Sequence, residues 1–245
     1  MGRRLAAVAA ATTTAAMIAF PLATRGGDGR RLVSTVVVAG LATTTAATAA
    51  DRWGVLRTAV AGAVVVTGAA VVEGVGTATG RPFGRYRYSD RLVPQVAGLP
   101  VVVPGAWWAM ALPAREVAHA ALGSRSSRPA RIALGAVALT AWDLFLDPQM
   151  TTEGYWTWAR RGRYRGIPLS NYAGWLVTGA AIMAVLEAVL PPGEPDRALV
   201  AQYAGMAVME TVGFAAFFGD RVVAAIGGVG TLPLAAAALW RMGRG

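Results

Sequence analysis

Residues 130–158 of the chain read ARIALGAVALTAWDLFLDPQMTTEGYWTW. This segment begins with an apolar run that is long enough to cross a bilayer as a helix. Asp143 and Asp147 stand at the end of this run, one helical turn apart, so a helix places both carboxylates on one face. Such a pair is costly in an apolar environment. The sequence therefore points to a function at the end of this predicted helix.

The composition is typical of a membrane protein. Of the 245 residues, 55% are hydrophobic and 15% are charged, whereas soluble domains contain about 25% charged residues. Lipid offers the backbone no hydrogen bonds, which favours helices over open strands. The sequence therefore predicts an all-α fold, a polytopic transmembrane helical bundle with seven or eight spans. We expect one integral membrane domain over residues 1–245, placed in the cell membrane as a multi-pass protein.

Eight apolar segments are candidates for the membrane spans. They cover residues 5–24, 32–50, 54–73, 96–113, 130–147, 171–190, 198–219 and 222–240. The first follows a short basic start and is predicted to be a retained helix rather than a signal peptide. The second and eighth are rich in small residues, so a bundle of seven spans is the alternative. If the fourth and fifth spans both cross, loops 74–95 and 148–170 lie on the same side.

The lack of cysteine and the presence of a single histidine exclude several kinds of functional site. The chain has no cysteine and one histidine, which excludes thiolate chemistry and a histidine-rich metal site. We expect that histidine, His119, to lie in a connector at the surface. The net charge is +10, and every basic residue is an arginine. The arginines lie in short loops between apolar segments, which favours contact with the lipid bilayer over binding of nucleic acid.

Polar residues gather at one end of the predicted bundle, beside the two long loops. This set consists of Glu73, Asp143, Asp147, Glu153, Asn171 and Asp220. The repulsion between the carboxylates of Asp143 and Asp147 can be relieved in two ways. Either burial and the neighbouring charge keep one carboxyl protonated, or a loop arginine pairs with them. The candidate arginines are Arg81, Arg85 and Arg163.

Two further carboxylates lie within the predicted spans. Glu210 is near the middle of the seventh span, where a charge is least expected, so it is a functional candidate. Glu187 of the sixth span is nearer the opposite face of the membrane and is predicted to be structural.

Two sequence blocks resemble the hallmarks of a known family. The first reads EGVGTATGRPFGRYRY over residues 73–88. The second reads WDLFLDP over residues 142–148, GYWTW over residues 154–158 and GRYRGIPLSN over residues 162–171. Together they are similar to blocks of the carotenoid biosynthesis membrane proteins, a family that includes the bisanhydrobacterioruberin and γ-carotene hydratases. The resemblance covers roughly residues 55–220.

The resemblance implies an enzyme that adds water across the terminal 1,2 double bond of an acyclic carotenoid and needs no cofactor. Other enzymes of the carotenoid pathway are the expected protein partners. Hydration of an alkene needs one group to donate a proton and another to accept one. We expect Asp143, Asp147 and Glu73 to be catalytic, with no metal bound. The predicted substrate-binding residues are Trp142, Tyr86, Tyr88, Tyr155, Trp156 and Asn171. The aromatic rings would stabilise a tertiary cation, and the asparagine would orient the water.

Other classes of protein remain open from the sequence alone. A membrane prenyltransferase also acts on isoprenoids and would use the two aspartates to bind Mg²⁺ and a diphosphate. A transporter would have internal repeats and helices broken near the membrane midplane, and the sequence has no clear repeat. A non-catalytic carotenoid-binding protein would share the apolar character but would leave the pigment unchanged.

Overall fold

A computed structural model describes residues 2–244, which form eight α-helices and four short strands. The helices are α1 (Gly2–Ala19), α2 (Asp28–Trp53), α3 (Val55–Thr79), α4 (Val102–Leu122), α5 (Arg128–Thr152), α6 (Leu169–Val189), α7 (Arg197–Val212) and α8 (Arg221–Met242). A 3₁₀ turn (Phe20–Leu22) follows α1, and a π-helical turn (Gly213–Phe217) follows α7. The strands are β1 (Tyr86–Tyr88), β2 (Gln95–Val96), β3 (Leu99–Pro100) and β4 (Trp156–Trp158).

Seven of the eight helices in residues 2–244 are long and apolar enough to cross a membrane. This confirms the predicted all-α transmembrane bundle. The alternative of seven spans assumed that the second or the eighth segment does not cross the membrane, but both form long apolar helices. The exception is α4, which begins at Val102 rather than at the predicted residue 96. The preceding residues 95–100 contain the antiparallel pair of β2 and β3 instead.

The helix α4 lies at the centre of the bundle. It packs against α2, α3, α5, α6, α7 and α8, and almost all of its side chains from Pro104 to Ala120 are buried. A helix surrounded by protein can carry charges, because charged groups within a membrane bundle face its interior and pair there. This position explains how α4 can contain Arg115, Glu116 and His119.

The charges of α4 are paired at the end of the bundle opposite the long loops. Glu187 of α6 accepts hydrogen bonds from Arg115 Nε at 2.9 Å and Arg131 Nε at 3.0 Å, and it also contacts His119 Nε2. His119 is only 6% exposed. The prediction of a surface position for His119 was wrong, because α4 continues where a connector was expected. The pairing of Glu187 agrees with the structural role predicted for it.

The helix α5 continues to Thr152, beyond the predicted end of the fifth span at Asp147. Pro148 lacks an N–H group, so it leaves the carbonyl of Leu144 without its helical partner. The Tyr164 hydroxyl donates to this carbonyl at 2.8 Å. The segment that follows β4 is thereby attached to α5 beside the two aspartates.

The two long loops meet in an antiparallel ribbon formed by β1 and β4. Loops 74–95 and 148–170 therefore lie on the same side of the bundle, as the sequence predicted. Asp220 also lies on this side, because its carboxylate bonds Arg165 of the second loop at 2.5 Å. Asp220 accepts from the N–H of Val223 at 3.1 Å as well, so it caps the start of α8.

The close approach of α8 to α5 supplies a test of the packing. A Cβ atom added to Gly227 would overlap the ring of Phe145, which is fully buried. We expect Gly227→Ala to destabilise the protein by about 1–3 kcal/mol, because overpacking forces such a ring to move. The measurement is the thermal unfolding temperature of the purified chain in detergent.

Gly68→Ala is the matched control, since a Cβ atom at Gly68 of α3 would meet no atom within 4 Å. We expect this variant to unfold at or above the wild-type temperature, because alanine favours a helix more than glycine does. Equal unfolding temperatures for the two variants would contradict the packing described for α5 and α8.

Candidate active site

The described residues enclose a cavity of about 320 Å³ at the end of the bundle that carries the β1–β4 ribbon. Its walls come from the ribbon, from the loops beside it and from every helix except α8. Most of the residues predicted for the site line this cavity. They are Glu73, Tyr86, Tyr88, Trp142, Asp143, Asp147, Trp156 and Asn171. The sequence blocks at 73–88 and 142–171, far apart in the chain, thus contribute to one site.

The two aspartates share a single amide. Asn171, near the start of α6, donates from Nδ2 to Asp143 Oδ2 at 2.6 Å and also to Asp147 Oδ2. Asp147 Oδ1 accepts a second hydrogen bond, from Trp156 Nε1 at 2.6 Å. Asp143 Oδ1 is buried and has no hydrogen-bond partner among residues 2–244. The two carboxyls therefore differ in environment, since more donors surround Asp147 than Asp143.

Glu73 is held by three neutral donors. Its carboxylate accepts from Trp107 Nε1 at 3.0 Å, from the Tyr88 hydroxyl at 2.8 Å and from the Tyr86 hydroxyl. Hydrogen bonds of this kind stabilise the ionised form of a carboxyl. Glu73 is 5% exposed, so its carboxyl lies inside the protein, and no basic side chain among residues 2–244 pairs with it. The site therefore contains a third carboxyl with a role distinct from that of the aspartates.

The tyrosines of β1 remain hydrogen-bond donors over the ordinary pH range. Burial is the largest cause that raises the pKa of Tyr86 and of Tyr88, and the nearby charge of Glu73 raises both further. A phenol whose pKa is raised stays protonated to higher pH. Both hydroxyls therefore keep the proton that they donate to Glu73.

Aromatic rings form much of the cavity wall. The register of the ribbon sets Tyr86 opposite Trp158 and Tyr88 opposite Trp156, and the ring centroids of these pairs lie 5.1 and 5.7 Å apart. Because alternate residues of a strand face the same side, all four rings face the cavity. Such faces attract a cation in a dry site by up to about 2 kcal/mol. The ribbon therefore supplies an environment suited to a positive charge.

Two features of the predicted site are different in the structure. Tyr155 is not among the cavity-lining residues, because alternation along the chain turns it away from its neighbour Trp156. Its ring packs near Leu92, and its hydroxyl lies 3.5 Å from Ser34 Oγ. Glu153 is also outside the cavity and forms a buried ion pair with Arg30 at 2.7 Å.

The loop arginines do not pair with the aspartates. Arg81, Arg85 and Arg163 are exposed, and among the described residues none of them forms an ion pair with Asp143 or Asp147. Of the two alternatives that the sequence left open, the pairing with a loop arginine was wrong, because these long side chains stay in water while the carboxyls are buried. The aspartates are bonded by neutral donors instead.

Some cavity residues were missed by the sequence interpretation. Trp107 and Trp175 stack with their ring centroids 3.9 Å apart. Trp158 Nε1 is buried with no hydrogen-bond partner among residues 2–244. Trp158 and Trp175 lie within or beside the second sequence block, which was a usable signal. Trp107 lies in α4, outside both blocks, and no local pattern distinguished it. Glu210, predicted as a candidate, does line the cavity.

Within residues 2–244 no group of three or more histidine, aspartate or glutamate residues is arranged to hold a metal ion. The aspartates share one neutral amide, and Glu73 accepts from phenol and indole groups. This set of contacts is suited to holding carboxyls in place and to moving protons in an apolar cavity.

Comparisons with known proteins agree with the sequence blocks. The family described as "Carotenoid biosynthesis protein" matches residues 32–242. A bisanhydrobacterioruberin hydratase from Haloarcula japonica is 30% identical over 118 residues, which are 47% of this chain and 40% of that protein. The matched part is therefore less than half of the relative's length. No solved structure matches the chain.

The shared amide can be tested through stability. Asn171→Leu removes the donor common to Asp143 and Asp147, and we expect a loss of about 1–3 kcal/mol because buried acceptors lose their partner. The measurement is the thermal unfolding temperature in detergent. Adding Asp143→Asn to this variant should recover part of the loss, because it removes one of the two carboxyls. No loss in Asn171→Leu would contradict the bridging role.

Proposed function

Since the chain belongs to the family of carotenoid biosynthesis proteins, we propose that it adds water to the terminal 1,2 double bond of an acyclic carotenoid. The observation that carries this proposal is the pair of buried carboxyls, Asp143 and Asp147, bridged by Asn171 at the wall of a largely apolar cavity. An apolar cavity accommodates the hydrocarbon, and two carboxyls in different environments can serve as acid and base.

Asp143 is the proposed acid. Its Oδ1 has no hydrogen-bond partner among the described residues, so this oxygen is free to carry a proton toward the substrate. The proton is added to C2 of the alkene, the π electrons form the new C–H bond, and C1 becomes a tertiary cation. A proton donor in this position typically contributes about 10²–10⁴-fold to the rate.

Two features of the site support the cation. The carboxylate of Glu73, which three neutral donors hold, supplies a buried negative charge. The rings of Tyr86, Tyr88 and Trp156 present faces that attract a positive charge. Charges that are already in position stabilise a developing charge without reorganisation. Glu73 is thus a stabilising group in this mechanism, while proton transfer belongs to the aspartates.

Water completes the reaction, and Asp147 is the proposed base. The indole Nε1–H of Trp158 makes no hydrogen bond of ordinary geometry in residues 2–244 but lies close to the Asp147 carboxyl, and there it would hold the oxygen of the attacking water. The oxygen bonds to C1, and the surplus proton passes to Asp147. Transfer of that proton back to Asp143 restores the starting state, so one molecule of water is added and no electrons are exchanged.

Asn171 acquires a different role from the one the sequence suggested. Its amide nitrogen already donates to both aspartates, so its N–H groups are not available for the water. We assign it to positioning the two carboxyls.

The proposed location is the cell membrane, where the lipid bilayer supplies the substrate and other enzymes of the carotenoid pathway would supply or consume it.

A membrane prenyltransferase is the main alternative. It would need basic residues to hold a diphosphate beside the aspartates, but among the described residues no arginine lines the cavity. A carotenoid-binding protein without activity would not need two carboxyls in an apolar wall, because each is costly to bury. Each alternative predicts a different outcome of the pigment experiment described next.

Expression in a bacterium that makes lycopene tests the proposal. We expect the wild-type chain to give pigments that are heavier by one water for each modified end, measured by liquid chromatography and mass spectrometry. Asp143→Asn and Asp147→Asn should each lower conversion by about 100-fold or more, because each removes a proton-transfer group.

Asp90→Asn is the matched control, since Asp90 is exposed in the same loop region, and it should convert pigment as the wild type does. Membrane abundance of every variant is measured by immunoblot. Full conversion by both site variants would remove the aspartates from the mechanism. Addition of an isoprenoid unit would favour the prenyltransferase, and bound but unchanged pigment would favour the binding protein.

A further inference from the structure

The cavity is too small to enclose the whole of the substrate that the proposed function requires. An acyclic carotenoid is a stiff chain about as long as the apolar core of a bilayer is thick, about 30 Å. The cavity volume of about 320 Å³ is at the lower end of the range for small-molecule sites. It can hold one end of such a chain, so the rest must leave the cavity through an opening.

Three residues mark where this opening lies. Ile18 of α1, Val212 of α7 and Phe217 of the π-helical turn all line the cavity and are nevertheless 61%, 49% and 61% exposed. A side chain that is both part of the wall and exposed lies at the rim. All three are apolar and belong to helices long enough to span the membrane, so the rim faces lipid.

The helices on the two sides of this rim are not packed together along their length. α1 packs along α2, whereas α7 packs mainly on α8 and α4. Their ends meet only after the rim residues, where the rings of Phe20 and Phe218 touch edge to face at a centroid distance of 5.8 Å. The separation between α1 and α7 therefore begins on the membrane side of this aromatic contact.

The contact between Phe20 and Phe218 is reinforced toward the loops. The guanidinium of Arg30 lies 4.1 Å from the centre of the Phe20 ring and 5.7 Å from that of Phe218, and Glu153 holds it by an ion pair at 2.7 Å. Arg25 donates to the carbonyl of Phe218 at 3.3 Å. These groups close the space between α1 and α7 toward the aqueous side.

We propose that α1 and the C-terminal end of α7 form a lateral portal through which an acyclic polyene enters from the bilayer, with Ile18, Val212 and Phe217 at its rim. The terminal double bond reaches the aspartates, and the remainder of the chain lies between the two helices or in the lipid. This inference rests on the proposed function for the identity of the polyene. It assigns Ile18 and Val212 as residues that determine access by long substrates.

Bulky substitutions at the rim test the portal. Ile18→Trp and Val212→Trp add volume where the polyene would pass, and both positions face lipid, where a large apolar side chain is tolerated. Val177→Trp is the matched control, since Val177 of α6 is 67% exposed and is not among the cavity-lining residues. Each full-length variant is purified from cells that make lycopene, and bound pigment per protein is measured by absorbance.

We expect the wild type and Val177→Trp to retain pigment and both rim variants to retain at least about tenfold less, equivalent to about 1.4 kcal/mol of binding. Equal pigment in all four proteins, or none in the wild type, would overturn the portal. Because bound pigment is measured without regard to its conversion, a chain that binds lycopene but never hydrates it would contradict the proposed function and leave the portal standing.

A short acyclic terpene with the same terminal double bond separates blocked entry from a damaged site. It fits within the cavity, so the rim variants should lose much less activity on this short substrate than on lycopene. Equal loss on both substrates would overturn the assignment of Ile18 and Val212 to access by long substrates.

Discussion

Every carboxyl buried in this bundle must find hydrogen-bond donors within the protein, because lipid offers none. This constraint explains the shape of the site. The ribbon of β1 and β4 brings Tyr86, Tyr88 and Trp156 to the carboxyls, and the start of α6 brings Asn171. The central helix α4 brings Trp107 to Glu73. The loops that cover the cavity are thus held by the groups that they stabilise.

The two ends of the bundle solve this problem in different ways. At one end Glu187 is bonded by Arg115 and Arg131, and its charge is balanced by theirs. At the other end Asp143 and Asp147 are bonded by neutral donors alone. A carboxyl paired with arginine is fixed in its ionised form, whereas a carboxyl held by an amide can gain or lose a proton. The contrast explains why we assign a structural role to Glu187, as to Glu153 with its partner Arg30, and chemistry to the two aspartates.

The fold class and most of the site could be predicted from the sequence. Apolar length identified the helices, and the spacing of Asp143 and Asp147 identified the carboxyl pair. The predicted span at 96–113 covers only the first part of α4, which continues to Leu122, because a helix enclosed by others can carry charges beyond its apolar part. His119 was misplaced for the same reason. Trp107 and the partner of each carboxyl depend on contacts between distant segments, which local patterns do not record.

The proposed mechanism adds water itself across the terminal double bond through proton transfer by the buried aspartates. It is tested most directly by isotopic labelling of the pigment product. In water enriched in oxygen-18 and deuterium, under ordinary oxygen gas, we predict a product with the heavy oxygen at C1 and one deuterium at C2 for each modified end. A product whose oxygen comes from the gas, or one with no deuterium at C2, would contradict hydration by proton transfer.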